Sequence, residues 1–151
     1  MDKTFSFHYE HYQRPEEMPD SDRELVERAK EACASAYAPY SGFNVGAAAR
    51  LRSGKIITGS NQESEVFPAG VCAERSLLFH HQSHYKDDPI VTLAIASRPD
   101  ERECYPCGIC RQVLCDTEKR QATPIRVIMA GRESATVVAS PRDLLPFLFQ
   151  L

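Results

Sequence analysis

Apolar and polar positions follow two different periods along this chain, and each change of period marks an element. Phe5, Phe7 and Tyr9 alternate with Thr4, Ser6 and His8, the two-residue period of a strand, until Pro15 and Pro19 interrupt the chain. Residues 1–19 are therefore expected to form an N-terminal arm or extra strand, and residues 20–151 a single domain. Ser21 with Glu24 three residues later has the pattern of a capping box. Leu25, Ala29, Ala32, Cys33 and Ala36 then recur at helical spacing, which predicts a helix from about 21 to 37 that ends before Pro39. Residues 43–51 and 55–60 flank Arg52-Ser53-Gly54 and predict a β-hairpin.

The polar stretch 61–70, closing on Pro68-Ala69-Gly70, reads as a loop. Residues 72–84 lack glycine and proline and read as a helix, 90–97 as a buried strand, and 98–106 as a charged loop. A second short helix is expected over about 107–118, strands over 124–130 and 136–138, and a last short helix or turn from Pro141. Helices interleaved with strands imply a sheet covered by helices on both faces.

Composition narrows the class without naming it. The chain has 151 residues, enough for one domain with one core, with 42% hydrophobic and 26% charged residues. No apolar run approaches the ~20 residues that span a bilayer. The N-terminus carries no basic segment followed by an apolar stretch, so the expected location is the cytoplasm. Formal net charge is −3, and basic residues are scattered among acidic ones rather than gathered into a stripe. A polynucleotide partner, which is usually gripped by such a stripe, is not expected; a small molecule is.

The six cysteines change the picture most. In a reducing compartment clustered cysteines are metal ligands or catalysts more often than disulfides. Cys72 and the pair Cys107 and Cys110 lie where two helices are expected to begin, and a helix N-terminus favours thiolate. Three protein ligands leave the fourth tetrahedral position of a catalytic zinc open. Glu74, two residues after Cys72, is placed to take and return a proton. Cys104-Tyr105-Pro106-Cys107 is a second Cys-x-x-Cys spacing; Cys104 precedes the helix, so Cys107 and Cys110 are preferred, whereas Cys104 as a fourth ligand would close the site. Cys33 and Cys115 read as packing residues. His80, His81 and His84 read as surface or interface residues, although 80 and 84 have the i,i+4 spacing of a metal pair.

Cys-Ala-Glu-Arg at 72–75 followed by Pro-Cys-Gly-Ile-Cys-Arg-Gln-Val at 106–113 resembles the cytidine deaminase family, in its small three-cysteine zinc type. The resemblance extends to Tyr37-Ala38-Pro39-Tyr40-Ser41-Gly42-Phe43-Asn44-Val45-Gly46-Ala47-Ala48, to Asn61-Gln62-Glu63, and to Leu144-Leu145-Pro146 with Phe149, over roughly residues 21 to 149. It implies a three-layer α/β/α fold with a mixed, about five-stranded sheet. It also implies hydrolysis of cytidine or deoxycytidine to the uridine product and ammonia, in pyrimidine salvage. The cofactor would be one Zn2+ per subunit on Cys72, Cys107 and Cys110, with Glu74 as proton shuttle.

The sugar would be bound by Asn61 and Glu63, and the base bordered by Phe43 and the backbone at Ala73. Phe149 would reach the site of a neighbouring subunit in a homotetramer with shared active sites. Arg75 would offset the excess charge of three thiolates on zinc by hydrogen-bonding cysteine sulfur, with Arg111 in a similar role. Two departures from the pattern stand out: Ser64-Glu65 where members commonly have Asn-Ala, and Tyr105 where they commonly have serine. Three other functions remain compatible with parts of the sequence: a blasticidin-type aminopyrimidine deaminase, a polynucleotide-editing deaminase, and a non-catalytic zinc module.

Overall fold

The structure, a computed structural model, describes residues 1–151. Its framework is one mixed sheet. Strand β2 (Asn44–Leu51) turns back as β3 (Ile56–Ser60), forming the expected hairpin, with Gly54 at φ +92° in the turn. Strand β4 (Ile90–Arg98) pairs antiparallel with β2 and parallel with β5 (Arg126–Ala130), and β6 (Ala135–Val138) runs antiparallel beside β5. Strand β1 (Glu10–Tyr12) joins β6, so the order is β1-β6-β5-β4-β2-β3. The sheet has six strands rather than about five, the sixth coming from the arm.

Helix α1 (Asp20–Ala32) covers one face, while α2 (Ala73–His84) and α3 (Gly108–Gln121) cover the other. Alternation along the strands divides the core accordingly. Ala48, Ala94, Ala96 and Ile128 face Leu25, Val26 and Ala29 of α1. Ala47, Ala49, Leu93, Ile95 and Val127 face Leu77 and Leu78 of α2 and Leu114 of α3. Small residues on β2 and β3 let the helices approach closely. A Cβ on Gly46 would stand 2.0 Å from the Ala29 carbonyl oxygen, and one on Gly59 would stand 2.9 Å from that of Ala73 and 2.8 Å from the Leu77 nitrogen.

Three expectations are corrected. The arm's strand lies at 10–12, not over the alternating aromatics. Glu10 already pairs with Val137, so its partner strand has almost ended, and Phe5, Phe7 and Tyr9 stack on one another in the open instead. The helix over 21–37 stops at Ala32 and continues as a 3-10 turn over Cys33–Ser35, because Tyr37 is drawn into extended pairing with Gln62. Ser21 is no cap: α1 starts after Pro19, with Asp20 and Asp22 in its first turn complementing the helix dipole, and Glu24 instead accepts from Arg50 at 2.7 Å. No helix is long and apolar enough to cross a membrane.

The contact at Gly59 is rigid because the atoms facing it include backbone. Gly59→Ala is expected to cost about 3 kcal/mol by overpacking, read as a lowered midpoint in a denaturant melt. Because Gly59 faces the first turns of the helix that starts after Cys72, the same variant should also push that helix start away from the sheet.

Candidate active site

Two helix N-termini meet on one face of the sheet. Cys72 is the N-cap residue of α2 and Cys107 that of α3, and neither cap is satisfied by a side-chain hydrogen bond. Cys110 lies in the first turn of α3, on the buried face that continues through Leu114 and Thr117. The sulfurs of Cys72, Cys107 and Cys110 all lie within 4.8 Å of one another, and those of Cys72 and Cys107 are 3.8 Å apart. Two sulfurs bonded at ~2.3 Å to a tetrahedral ion would also be about 3.8 Å apart, so the spacing fits zinc. Cys110 is buried and Cys107 exposed, which leaves one side of the cluster open.

The cluster carries its own counter-charge. Arg75 Nη2 donates to Cys72 Sγ at 3.7 Å, and its Nε is buried without a partner. The Cys110 thiol donates toward Cys72 and, with Arg75 and Cys107, pulls the Cys72 thiol down to about 5 despite its burial. The same donation, together with burial, holds the Cys110 thiol far above its usual range. Three soft sulfur donors, an unpartnered guanidinium N–H and an open side match the requirements of a three-thiolate metal site.

Glu74 follows Cys72 by two residues and is 3% exposed. Burial pushes its carboxyl up to about 7, with the Cys72 charge adding to the shift. It shares the core face of α2 with Leu77, Leu78 and His81. That spacing puts a carboxyl where an apolar residue would normally sit, an arrangement characteristic of groups that must change protonation.

The loop between β3 and α2 brings the remaining groups to this cluster. Gln62 exchanges both backbone hydrogen bonds with Val71 at 2.9 Å, so the segment doubles back, Gly70 lies beside Glu63 and Cys72 returns on the Asn61 side. Asn61, Glu63, Cys72 and Arg75 line one cleft of about 450 Å³, together with Tyr40 and Phe67. Asn61 Oδ1 accepts from the Val45 N–H at 2.8 Å, and its Nδ2 donates to the Phe43 carbonyl at 2.9 Å. Phe43 itself is half-exposed and lines a separate cleft of about 440 Å³, with Ser97, Cys104 and Tyr105. Ala73 is fully buried at the start of α2.

Other expected residues lie elsewhere. The ring of Phe149 is exposed and does not line either cleft; its carbonyl accepts from Gln112 of α3. Arg111 does not touch the sulfurs, since its guanidinium is committed to the carbonyls of Pro106 and Leu144 at 2.8 Å. Cys104 is buried in the core, outside the three-sulfur group, and Cys33 and Cys115 are buried as expected. His80 and His84 stack on the exposed side of α2, 4.4 Å between ring centres. His81 is not a surface residue: it is 1% exposed, with Nε2 2.9 Å from the Asp88 carbonyl. Tyr40, Ser41 and Phe67 were not singled out from the sequence. Pro39 and Gly42 do signal a turn there, yet nothing local says that the turn closes on Glu63.

A profile of the family described as "Cytidine and deoxycytidylate deaminase zinc-binding region" matches residues 19–123. The chain belongs to the cytidine deaminase family. A curated cytidine deaminase of Halalkalibacterium halodurans is 38% identical over 92 residues, covering 61% of this chain and 68% of the relative. A probable cytidine deaminase of Dictyostelium discoideum is 32% identical over 125 residues, covering 82% and 80%. The crystal structure of cytidine deaminase from Burkholderia pseudomallei superposes with a TM-score of 0.73 at 34% identity, over 87% of this chain and all of that one. The three-layer α/β/α expectation therefore stands for this family member.

Arg75 is the cation that touches the sulfur cluster, so its replacement tests that contact apart from folding. Arg75→Met is expected to weaken zinc retention about 10–100-fold, measured by competition against a chromophoric chelator, while the far-ultraviolet circular dichroism stays unchanged.

Proposed function

We propose that the chain catalyses the hydrolytic deamination of cytidine and deoxycytidine: nucleoside and water give the uracil nucleoside and ammonia. The observation that carries this reading is that Asn61, Glu63 and Cys72 line one cleft. A pair able to bind a sugar therefore opens onto the sulfur that begins the Glu74 helix.

Cys72, Cys107 and Cys110 would hold one Zn2+ per subunit. When bound, zinc supplies Lewis-acid activation of water for attack at the ring carbon that bears the amino group. Glu74, whose burial favours its protonated form near neutrality, delivers a proton to ring N3, recovers one from the hydroxyl added at the attacked carbon, and passes that one to the departing amine. Asn61 and Glu63 bind the sugar hydroxyls as donor and acceptor. Phe43 borders the base and the backbone at Ala73 meets the pyrimidine edge. Arg75 offsets the excess charge of three thiolates. In a homotetramer, Phe149 is exposed and free to enter a neighbouring subunit's cleft.

The cleft also favours a nucleoside over a nucleotide. Arg75 is the one cation among its lining residues, and Nη2 of that side chain is committed to Cys72. Glu63 is held below the usual carboxylate range by hydrogen bonds from Ser41 and Tyr40, and so is ionised at neutral pH. A 5′-phosphate would meet the Glu63 carboxylate in this cleft, beside an Arg75 whose Nη2 is already turned to Cys72. The same two sugar-binding groups disfavour a blasticidin-type or sugar-free substrate.

Loss of ultraviolet absorbance on mixing zinc-loaded protein with cytidine or deoxycytidine tests the reaction, and deoxycytidylate should be turned over far more slowly. Glu74→Gln should lower kcat by at least about 10²–10⁴-fold, the usual worth of a positioned acid–base group, with zinc content unchanged. Near-normal turnover in that variant would remove Glu74 from the chemistry.

A further inference from the structure

We propose that Ser41 is a positioning residue for sugar recognition: its hydroxyl locks the Glu63 side chain in one conformation and leaves a single acceptor position on that carboxylate for the nucleoside. The proposal rests on the reading of Glu63 as a sugar ligand.

Glu63 sits on the loop after β3 and has no cation holding it in place. The N–H groups of Tyr40 and Ser41 donate to Oε1 at 3.0 and 3.1 Å, and the Ser41 hydroxyl donates to Oε2 at 2.5 Å. An ionised carboxylate offers about four acceptor positions. Two are filled on Oε1 and one on Oε2, so one remains, on Oε2. The backbone donors alone would let the carboxylate pivot about Oε1. The hydroxyl removes that freedom, and it is also the largest cause of the lowered proton affinity of Glu63.

The hydroxyl is itself oriented from the other side. Its oxygen accepts from the Phe43 N–H at 3.0 Å, across Gly42 at φ +67°. Its proton is thereby committed to Glu63 rather than to water or substrate. The Phe43 carbonyl is held in turn by Asn61. Ser41 thus links the proposed sugar acceptor to the backbone of the residue that borders the base.

An acceptor that spends only part of its time in the competent conformation weakens apparent affinity by that fraction and leaves the chemical step alone. The effect should therefore fall on KM. The test uses zinc-loaded wild type, Ser41→Ala, Ser41→Thr, Glu63→Ala and the Ser41→Ala/Glu63→Ala double variant, with steady-state kinetics on cytidine. Ser41→Ala should raise KM about tenfold, the order of one charge-assisted hydrogen bond, with kcat essentially unchanged. Ser41→Thr should restore KM by returning the hydroxyl. Once Glu63 is alanine, Ser41→Ala should add less than about twofold, because the carboxylate to which the hydroxyl donates is gone.

An unchanged KM in Ser41→Ala, or a full tenfold increase in the Glu63→Ala background, would overturn the positioning role. A fall in kcat accompanied by zinc loss would also overturn it, since that marks a structural residue. If Glu63→Ala itself leaves KM unchanged, the sugar role of Glu63 fails first and the Ser41 proposal falls with it.

Discussion

Three cysteine sulfurs within 4.8 Å of one another form an arrangement that a protein must work to hold. As thiolates they repel, and as thiols they satisfy few hydrogen bonds. Here the cluster is offset by Arg75, by the dipoles of two helix N-termini and, in the loaded protein, by the metal. The rest of the structure follows from that constraint. Helices α2 and α3 must begin at the same place, so they share one face of the sheet. The strands beneath must be small-surfaced enough to let α2 dock, hence the close approach at Gly59.

The same junction places Glu74, the proposed proton carrier. Glu74 cannot escape to solvent, because its position on α2 is set by the helix phase that buries Leu77 and Leu78. Burial favours the neutral carboxyl, and proximity to Cys72 reinforces this. One element therefore carries a cysteine of the sulfur cluster at its N-cap and, two residues later, the buried carboxyl proposed as the acid–base group. The loop from Asn61 to Val71 completes the site by pairing with itself, which brings the proposed sugar-binding residues to the edge of the cluster.

Much of this was legible in the sequence because it is local. Gly54 between two apolar runs announced the β2–β3 hairpin, and uninterrupted helix-forming stretches announced α2 and α3. The cysteine set was readable because its members sit at helix starts, whereas His81, read as a surface residue, is buried on the face that Glu74, Leu77 and Leu78 share. What was misread depended on partners distant in sequence. The arm's alternating aromatics had strand periodicity, but the short partner strand β6 decided which residues could pair. Arg111 sits beside Cys110 in sequence, yet its guanidinium turns away to the Leu144 carbonyl. Ser41 went unnoticed because its importance lies in a contact spanning 22 residues to Glu63.

The central structural requirement is a metal held by three sulfurs with one position open. Zinc K-edge X-ray absorption of the loaded protein measures that coordination directly. Three sulfurs at ~2.3 Å with one lighter scatterer are expected. Four sulfurs, which would bring Cys104 into the shell and close the site, or a shell with fewer than three, would contradict it.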